Sequence, residues 1–264
     1  MKKTIRKIAP AMLVLVALTT LSFMAKDGVT LRLKPQQGKT YSITTKANMM
    51  MLMEVQGQTM NQSQNMETRQ SFTAKEVSDD QSTFETQIEA IKMTISQMGM
   101  KLEYDSEHPE NASPMLAGQT KDLEKVLKKP ITITYDALGN LTSDSIDLEM
   151  NQLGGIISQL PEQELSVGST WDLNKNQSVS GIEMNAKYTY TVTAISKKSV
   201  DVSISGTIEG SNETSGTYEG TASIHPQTGL VMNSNIKSNI SMTINEQGMS
   251  IPMTMVGNTT IEVK

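Results

Sequence analysis

Apolar and polar residues alternate with a period of two along most of this chain, a pattern typical of β-strands that bury one face. Between Tyr41 and Val55 the odd positions are apolar or small, whereas the even positions begin with Ser42 and Thr44. This segment predicts one strand about 50 Å long, at about 3.3 Å per residue. A turn at residues 56–58 leads into a more polar returning strand, so the first two strands are expected to form a long hairpin.

The alternation continues through later segments, and its phase changes twice within one long apolar run. The first change comes after Ala90 and the second comes at Met98. Each change predicts a β-bulge, because one extra residue turns the following side chains to the opposite face. From residue 184 to residue 263 the alternating segments are separated by short turns, which predicts an antiparallel meander.

The helical signals lie between the two β-rich regions. Ser113 and Pro114 are suited to begin a helix at residues 113–128. A second helical pattern covers residues 145–160 and stops at Pro161. The predicted fold class is therefore mainly β (α+β): a long, strongly curved antiparallel sheet or open barrel with two helices packed on its concave side.

The first residues of the chain predict export. Four basic residues precede an apolar run that ends near Ala25 and is shorter than the roughly 20 residues that span a bilayer. This order is typical of a secretory signal peptide, here residues 1–25. Cleavage after Ser22 is a competing site, and a retained N-terminal anchor helix is the alternative. The mature chain, residues 26–264, is expected to be a single β-rich domain without a transmembrane segment. Two similar β lobes, at 26–105 and 166–264 and joined by a helical segment at 106–165, are the alternative.

Composition removes several classes of function. The chain of 264 residues contains no cysteine, which excludes disulfides, thiol nucleophiles and thiolate metal sites. Its 28 acidic and 23 basic residues give a formal charge of −5, and loss of the four basic residues of the signal peptide changes this to −9. An acidic chain argues against a nucleic-acid partner, which would need a basic face.

Methionine is the unusual residue, because its 20 copies are twice the number of aromatic residues. Methionine adapts its shape and suits surfaces that accept variable apolar ligands. We predict that methionines on one strand face line a groove for an acyl chain (a lipid) or a hydrophobic peptide, and these are Met49, Met51, Met53, Met98, Met100, Met253 and Met255. Thioethers also suit monovalent copper, but no histidine accompanies them, so neither a metal nor another cofactor is predicted. A plain core role is the alternative.

The densest polar cluster spans residues 104–110, from Tyr104 to Glu110. Its carboxylates could ligate a hard cation such as calcium, but their spacing matches no calcium loop, and Asp105 is suited to close a turn. His108 and His225 each precede a proline, and the chain contains no Gly-x-Ser-x-Gly motif. We therefore predict no catalytic residue and expect a protein that is not an enzyme.

Several segments together resemble one family of proteins. They are the Gly-x-Thr-Tyr opening at Gly38, the step at 104–106, the stretch from Ile131 to Gly139, the stretch from Leu160 to Trp171, and residues 216–229. On their order and spacing, the whole mature chain resembles a family of exported Bacteroidota proteins of unknown function, many of which are lipoproteins. Since this chain has no cysteine for lipid attachment, a soluble periplasmic or extracellular form is expected.

The resemblance brings no established activity, so no functional residue is carried over from the family. It does imply one modification site, because Asp144-Ser145-Ile146 resembles the O-glycosylation sequence of exported proteins in that phylum, with Ser145 as the acceptor. In architecture alone, the expected curved sheet is similar to the half-barrels of periplasmic lipoprotein carriers, an analogy that bears weakly on function.

The sequence thus predicts an exported, non-enzymatic protein that binds or carries an apolar ligand in a methionine-lined groove. The alternative is a structural or interaction protein of the cell envelope, with a filled core, no small ligand and a protein partner.

Overall fold

The computed structural model describes residues 28–55, 57–142, 157–179, 182–246 and 249–264. The expected signal peptide at 1–25 and the candidate glycosylation site at Ser145 lie outside these ranges.

The described part of the chain is built mainly from long β-strands. In chain order they are β1 (Thr40–Val55), β2 (Gln58–Val77), β3 (Gln81–Gln97), β4 (Met100–Asp105), β5 (Ile131–Asp136), β6 (Thr170–Val179), β7 (Ile182–Ile195), β8 (Val200–Gly210), β9 (Ser215–Ile224), β10 (Val231–Glu246) and β11 (Met249–Val263).

All of these strands belong to one 11-stranded sheet, in the order β4-β3-β2-β1-β11-β10-β9-β8-β7-β6, with β5 paired to the first half of β3. Neighbouring strands are antiparallel, including the central pair of β1 and β11 that joins the two β-rich regions. The strands β6 at one side and β4 and β5 at the other do not pair with each other, so the sheet is not closed. The predictions of a mainly β fold and an antiparallel sheet are confirmed.

The main core lies on one face of this sheet. Phe72 and Phe84, from β2 and β3, belong to the same buried cluster as Trp171 and Val200, from β6 and β8. These strands are far apart in the order of the sheet, so the sheet must bend round its core for their side chains to share one cluster. We call this inner side the concave face and the opposite side the convex face.

Two segments without strand structure fill the space between the two sides of the sheet. Leu31 and Leu33 come from the stretch before β1, and Leu160 and Leu165 come from the stretch before β6; all are at most 5% exposed. The two stretches are joined by backbone hydrogen bonds between Val29 and Leu165. They close the end of the sheet at which β1 begins, which we call the base; the end at which β1 finishes is the tip.

The helical predictions need correction. The helix α1 spans Ala117–Val126, and short 3-10 turns at Pro109–Asn111 and Pro114–Leu116 precede it. The predicted helix at 113–128 starts late because the Ser113 hydroxyl accepts the backbone N–H of Glu103 at 2.9 Å and so does not cap a helix. The predicted helix at 145–160 lies mostly outside the described ranges, and residues 157–160 are not helical. Two helices are therefore not supported.

The single described helix packs on the concave face beside the edge of the sheet. Leu116 and Leu123 contact a buried cluster that contains Ile91, Met93 and Tyr104 of β3 and β4. Within the described ranges, no helix combines the length and the apolar character needed to cross a membrane.

The two predicted changes of phase have different origins. At the first, the pairing of β2 with β3 shifts between Arg69 and Gln70, so the predicted bulge near Ala90 is confirmed. At the second, the chain reverses direction: Met98 and Gly99 have φ values of 51° and 80°, as in the two-residue turn of a tight hairpin. The expected bulge at Met98 is therefore wrong.

Candidate functional site

Methionines from four adjacent strands form a row on the concave face near the tip. Met53 of β1 lies directly opposite Met60 of β2 on one side and Met253 of β11 on the other, and Met253 lies opposite Met242 of β10. Directly opposed residues point to the same face of a sheet, with Cβ atoms about 5 Å apart. The four side chains therefore form a continuous ladder across β2, β1, β11 and β10.

A second, shorter row lies beside the first, toward the base. Met51 is opposite Met255, and Met49 lies on the same face of β1, two residues closer to its start. We call the two rows together the methionine band; its members are Met49, Met51, Met53, Met60, Met242, Met253 and Met255.

The methionine band is covered at one side and open at the other. Met242 and Met253 are 7% and 8% exposed, while Met51 and Met255 are half-buried and Met49 is 37% exposed. Methionine has three rotatable bonds, so such a layer can cover its own surface and also move aside at little cost. The band is therefore an apolar surface that the protein's own side chains cover only in part.

Five of the seven sequence-predicted site residues belong to this band, and the other two do not. Met100 shares the row of Met51 but is three strands away, at the edge of the sheet, and is 52% exposed. Met98 lies in the β3–β4 turn and is 72% exposed. The band also contains Met60 and Met242, which are not among the sequence-predicted site residues. The alternating pattern places both on an apolar strand face, but it carries no information on which residues of β1 and β11 lie opposite them.

The other side of the concave face carries tyrosines beside a buried methionine, Met184 of β7. Tyr188 of β7 and Tyr218 of β9 lie with ring centroids 5.1 Å apart. Burial raises the pKa of both hydroxyls above the ordinary value, so both stay neutral at physiological pH. The pair packs, together with Ile240, against a small buried cluster that includes Ile208. This wall is apolar apart from the two hydroxyl groups.

Two glycines flank Tyr218 along β9. Gly216 and Gly220 of β9 lie opposite Ile240 and Ile236 of β10, on the concave face. A Cβ atom on either glycine would come within 2.5 Å of a backbone carbonyl oxygen of β10. Glycine inside a strand marks such a close approach or bend of the backbone. The concave surface on either side of Tyr218 is therefore bare backbone at these two positions.

Charged residues of the strands lie almost entirely on the convex face. Examples are Lys46 with Glu67, at 3.7 Å, and Lys92 with Asp105, at 3.0 Å. Among the strand residues whose positions in the pairing and side chains are both described, Lys175 of β6 is the exception on the concave face. The concave face of these strands is thus nearly uncharged.

The acidic cluster at 104–110 forms a turn held by ion pairs. Asp105 accepts the backbone N–H of Glu107 at 2.9 Å, and this bond, with Lys92, lowers the pKa of the Asp105 carboxyl. Arg69 pairs with Glu107 and lowers the pKa of that carboxyl. No set of three acidic or histidine side chains in the described part of the chain could hold a metal ion. The turn that the sequence suggested for Asp105 is present.

A second concavity, of about 630 Å³, lies at the base beside the start of β1. It includes Tyr41, Val231 and Val263, together with lysines. Lys39 lies 4.9 Å above the ring of Tyr41 and Lys34 pairs with Asp79 at 2.5 Å. Lys34 and Lys39 therefore already have interaction partners, and this concavity is more polar than the methionine band.

Comparison with known proteins gives a family of unknown function and distant structural likenesses. The model of a family described as "Family of unknown function (DUF6263)" matches residues 144–264, which include β6 to β11. No curated protein matches the chain.

Two solved structures are distantly similar to the chain. One is lipovitellin, in a study of its lipid–protein interactions, with a TM-score of 0.49 and 10% identity over 87% of this chain. The present chain spans only 25% of that lipovitellin chain. The other is an outer membrane channel from Pseudomonas putida F1, with a TM-score of 0.34 and 6% identity over 88% of this chain and 98% of that one. Both likenesses are too distant to bear on function.

Proposed function

We propose that this protein binds an apolar ligand, an acyl chain or a hydrophobic peptide, along the methionine band of the concave face, and that its role is binding and not catalysis. The observation that carries the proposal is the band itself. It is an apolar strip, continuous in register across four strands, and part of its surface is open. Contiguous exposed apolar surface on a protein of this size is a mark of an interaction site.

The contrast between the two ends of the concave face supports this assignment. At the base, rigid aromatic rings fill the core; Phe72 and Phe84, for example, pack edge to face at 6.1 Å. In the tip halves of β1, β2, β10 and β11 there is no aromatic residue, and methionine is the commonest inward residue, beside isoleucine and glutamine. Rigid rings specify one packing arrangement, whereas methionine can repack around ligands of different shape.

The test uses two adjacent residues of β1 that point to opposite faces. Met51 lies in the band opposite Met255, and Met50 lies on the convex face and is 52% exposed. Met51→Asp would place a carboxylate beside the bound chain, where its desolvation is costly. We expect this change to weaken binding of the neutral fluorescent probe N-phenyl-1-naphthylamine by about tenfold or more, a factor of ten being about 1.4 kcal/mol.

The matched control is Met50→Asp, which adds the same charge one residue away and is expected to leave probe binding unchanged. Urea unfolding of both variants establishes that both are folded. Absence of probe binding to the unmodified protein, or equal losses in the two variants, would contradict the proposal.

A second candidate function is an interaction role in the cell envelope, and one feature of the convex face favours it. Met50 and Val256, directly opposite each other, are 52% and 49% exposed, and Leu52 is 39% exposed. Beside them a cavity of about 400 Å³ is lined mainly by residues that face away from the methionine band, including Leu52 and Pro252. Under this alternative, Met50→Asp would abolish capture of a stoichiometric envelope protein, while Met51→Asp would not.

The proposed function includes export. Residues 1–25 act as a signal peptide that is removed, and the mature chain is located in the periplasm or outside the cell. The order of basic and apolar residues supports it. N-terminal sequencing of the protein from its own host should begin near Lys26; a chain that keeps Met1 would contradict export by this route.

A further inference from the structure

Lys175 is the charged side chain that breaks the apolar pattern of the concave face. It lies in β6 directly opposite Ala186 of β7, which is 0% exposed. Trp171 and Leu173, on the same face of β6, are buried. The alternation of this strand therefore places a cation where an apolar residue would continue the pattern.

The ammonium group of Lys175 has no counter-charge within the described structure. No described carboxylate lies within ion-pair distance of it, whereas Lys34, Lys46, Lys75, Lys92 and Lys101 each pair with one. The side chain remains exposed to solvent, yet the surrounding protein desolvates it and lowers its pKa below the ordinary value. A cation in this position would gain from an anion that the described chain does not supply.

The position of Lys175 in the sheet links it to the methionine band. Its row continues through Ala186 in β7 and Ile208 in β8 to Ile240 in β10, and then to Met255 and Met51. Between Lys175 and Met51 the row crosses six strand spacings, or about 29 Å along the curved surface at about 4.8 Å each. The path across the concavity is shorter, because the sheet bends round this face.

We propose that Lys175 binds the carboxylate of a long-chain fatty acid whose hydrocarbon chain lies on the methionine band. This inference rests on the function proposed above and specifies its ligand. A carboxylate needs one cationic partner, and a single ammonium provides it. Phosphate sites commonly gather several donors or an arginine fork, and among the described strand residues the concave face offers neither. No acidic side chain occurs in the same set of described strand residues, so none of these residues would repel the headgroup.

The test separates the charge from the hydrocarbon chain. Palmitic acid and hexadecan-1-ol have the same chain length, and each is used to displace N-phenyl-1-naphthylamine from the purified full-length mature protein. We expect palmitate to bind about tenfold more tightly than hexadecanol, the gain of one charge-assisted hydrogen bond in a partly solvated site. Lys175→Gln should remove this preference without changing hexadecanol affinity, and Lys175→Arg should keep it.

Lys187 of β7 provides the matched control. It is exposed on the convex face of the neighbouring strand, so Lys187→Gln removes the same charge and should leave the preference for palmitate intact. Equal loss in the Lys175 and Lys187 variants would overturn the inference, because the effect would then reflect net charge alone.

The remaining outcomes distinguish this inference from the proposed function. If both ligands bind equally to the unmodified protein and to Lys175→Gln, the proposed apolar binding site is supported and the assignment of Lys175 as the partner of the carboxylate is wrong. If neither ligand displaces the probe and the probe itself does not bind, both proposals fail. If phosphatidylglycerol vesicles bind in a Lys175-dependent manner and palmitate does not, the headgroup is a phosphate and the carboxylate assignment is overturned.

Discussion

Two buried threonines on the concave face lead to a counter-intuitive prediction about stability. Thr45 of β1 lies directly opposite Thr68 of β2, and the residues are 5% and 2% exposed. Within the described part of the chain, neither hydroxyl oxygen has a hydrogen-bond partner. Valine has nearly the same shape as threonine but no hydroxyl, so Thr45→Val and Thr68→Val remove an unsatisfied polar group without leaving a cavity.

The expected gain follows from the cost of burying an unpaired polar group, which is about 1–3 kcal/mol. Local relaxation recovers part of this cost, so each substitution should raise the free energy of unfolding by about 1 kcal/mol. Because the two side chains are neighbours, the double variant need not show the sum of the single effects. A gain is unusual, since most substitutions in a buried position destabilise a protein.

Urea unfolding measures the effect as a higher midpoint concentration with an unchanged slope. The control is Thr73→Val on the same strand, because the Thr73 hydroxyl is exposed and is hydrogen-bonded to that of Thr40 at 2.9 Å. This change should be neutral or slightly destabilising. A loss of about 1 kcal/mol or more in Thr45→Val or Thr68→Val would refute the reasoning, because it would mean that these hydroxyls have partners in the folded protein.

Three further predictions concern the shape of the sheet and its core. Gly220→Ala should destabilise the protein by about 1–3 kcal/mol in urea unfolding, because the new Cβ would lie 2.3 Å from the Asn235 carbonyl oxygen. Gly257→Ala should change the free energy of unfolding by no more than about 1 kcal/mol, because the new Cβ would meet only the movable Ser238 hydroxyl at 2.7 Å, and the next atom lies at 3.8 Å. Equal losses of stability in the two variants would contradict the argument from close backbone approach. Burial raises the pKa of Tyr135 to about 12, so the unfolded chain ionises first and stability present below pH 10 is lost as the pH rises toward 12. Tyr135→Phe should lessen this alkaline loss by up to about 2–3 kcal/mol, and an unchanged pH profile would show that Tyr135 is not its source.

The strands and their faces could be predicted from the sequence because a half-buried strand has a period of two. The odd residues of β1 carry this signal plainly, and Tyr41 and Ile43 are buried as expected. The bulge near Ala90 also follows from the pattern, because an extra residue necessarily moves the apolar phase.

The site could be predicted only in part, because register between distant strands has no local signal. Met53 and Met253 meet because β1 pairs with β11 across nearly the whole length of the chain. The alternating pattern identifies inward residues but not their opposite neighbours, so Met60 and Met242 were omitted from the predicted site and Met98 was included. The apolar phase also changes at Met98, where a hairpin turn gives the same sequence pattern as a bulge. The pattern does not indicate a turn there, because a non-glycine residue with positive φ is uncommon.

The most direct measurement is native mass spectrometry of the mature protein purified from its own host, followed by organic extraction and identification of what is released. The account predicts a bound species with an apolar chain, present in near-stoichiometric amount and lost from the Met51→Asp variant but not from Met50→Asp. A single mass that corresponds to the ligand-free chain, together with an experimental structure in which the methionine band is filled and dry, would contradict the central claim.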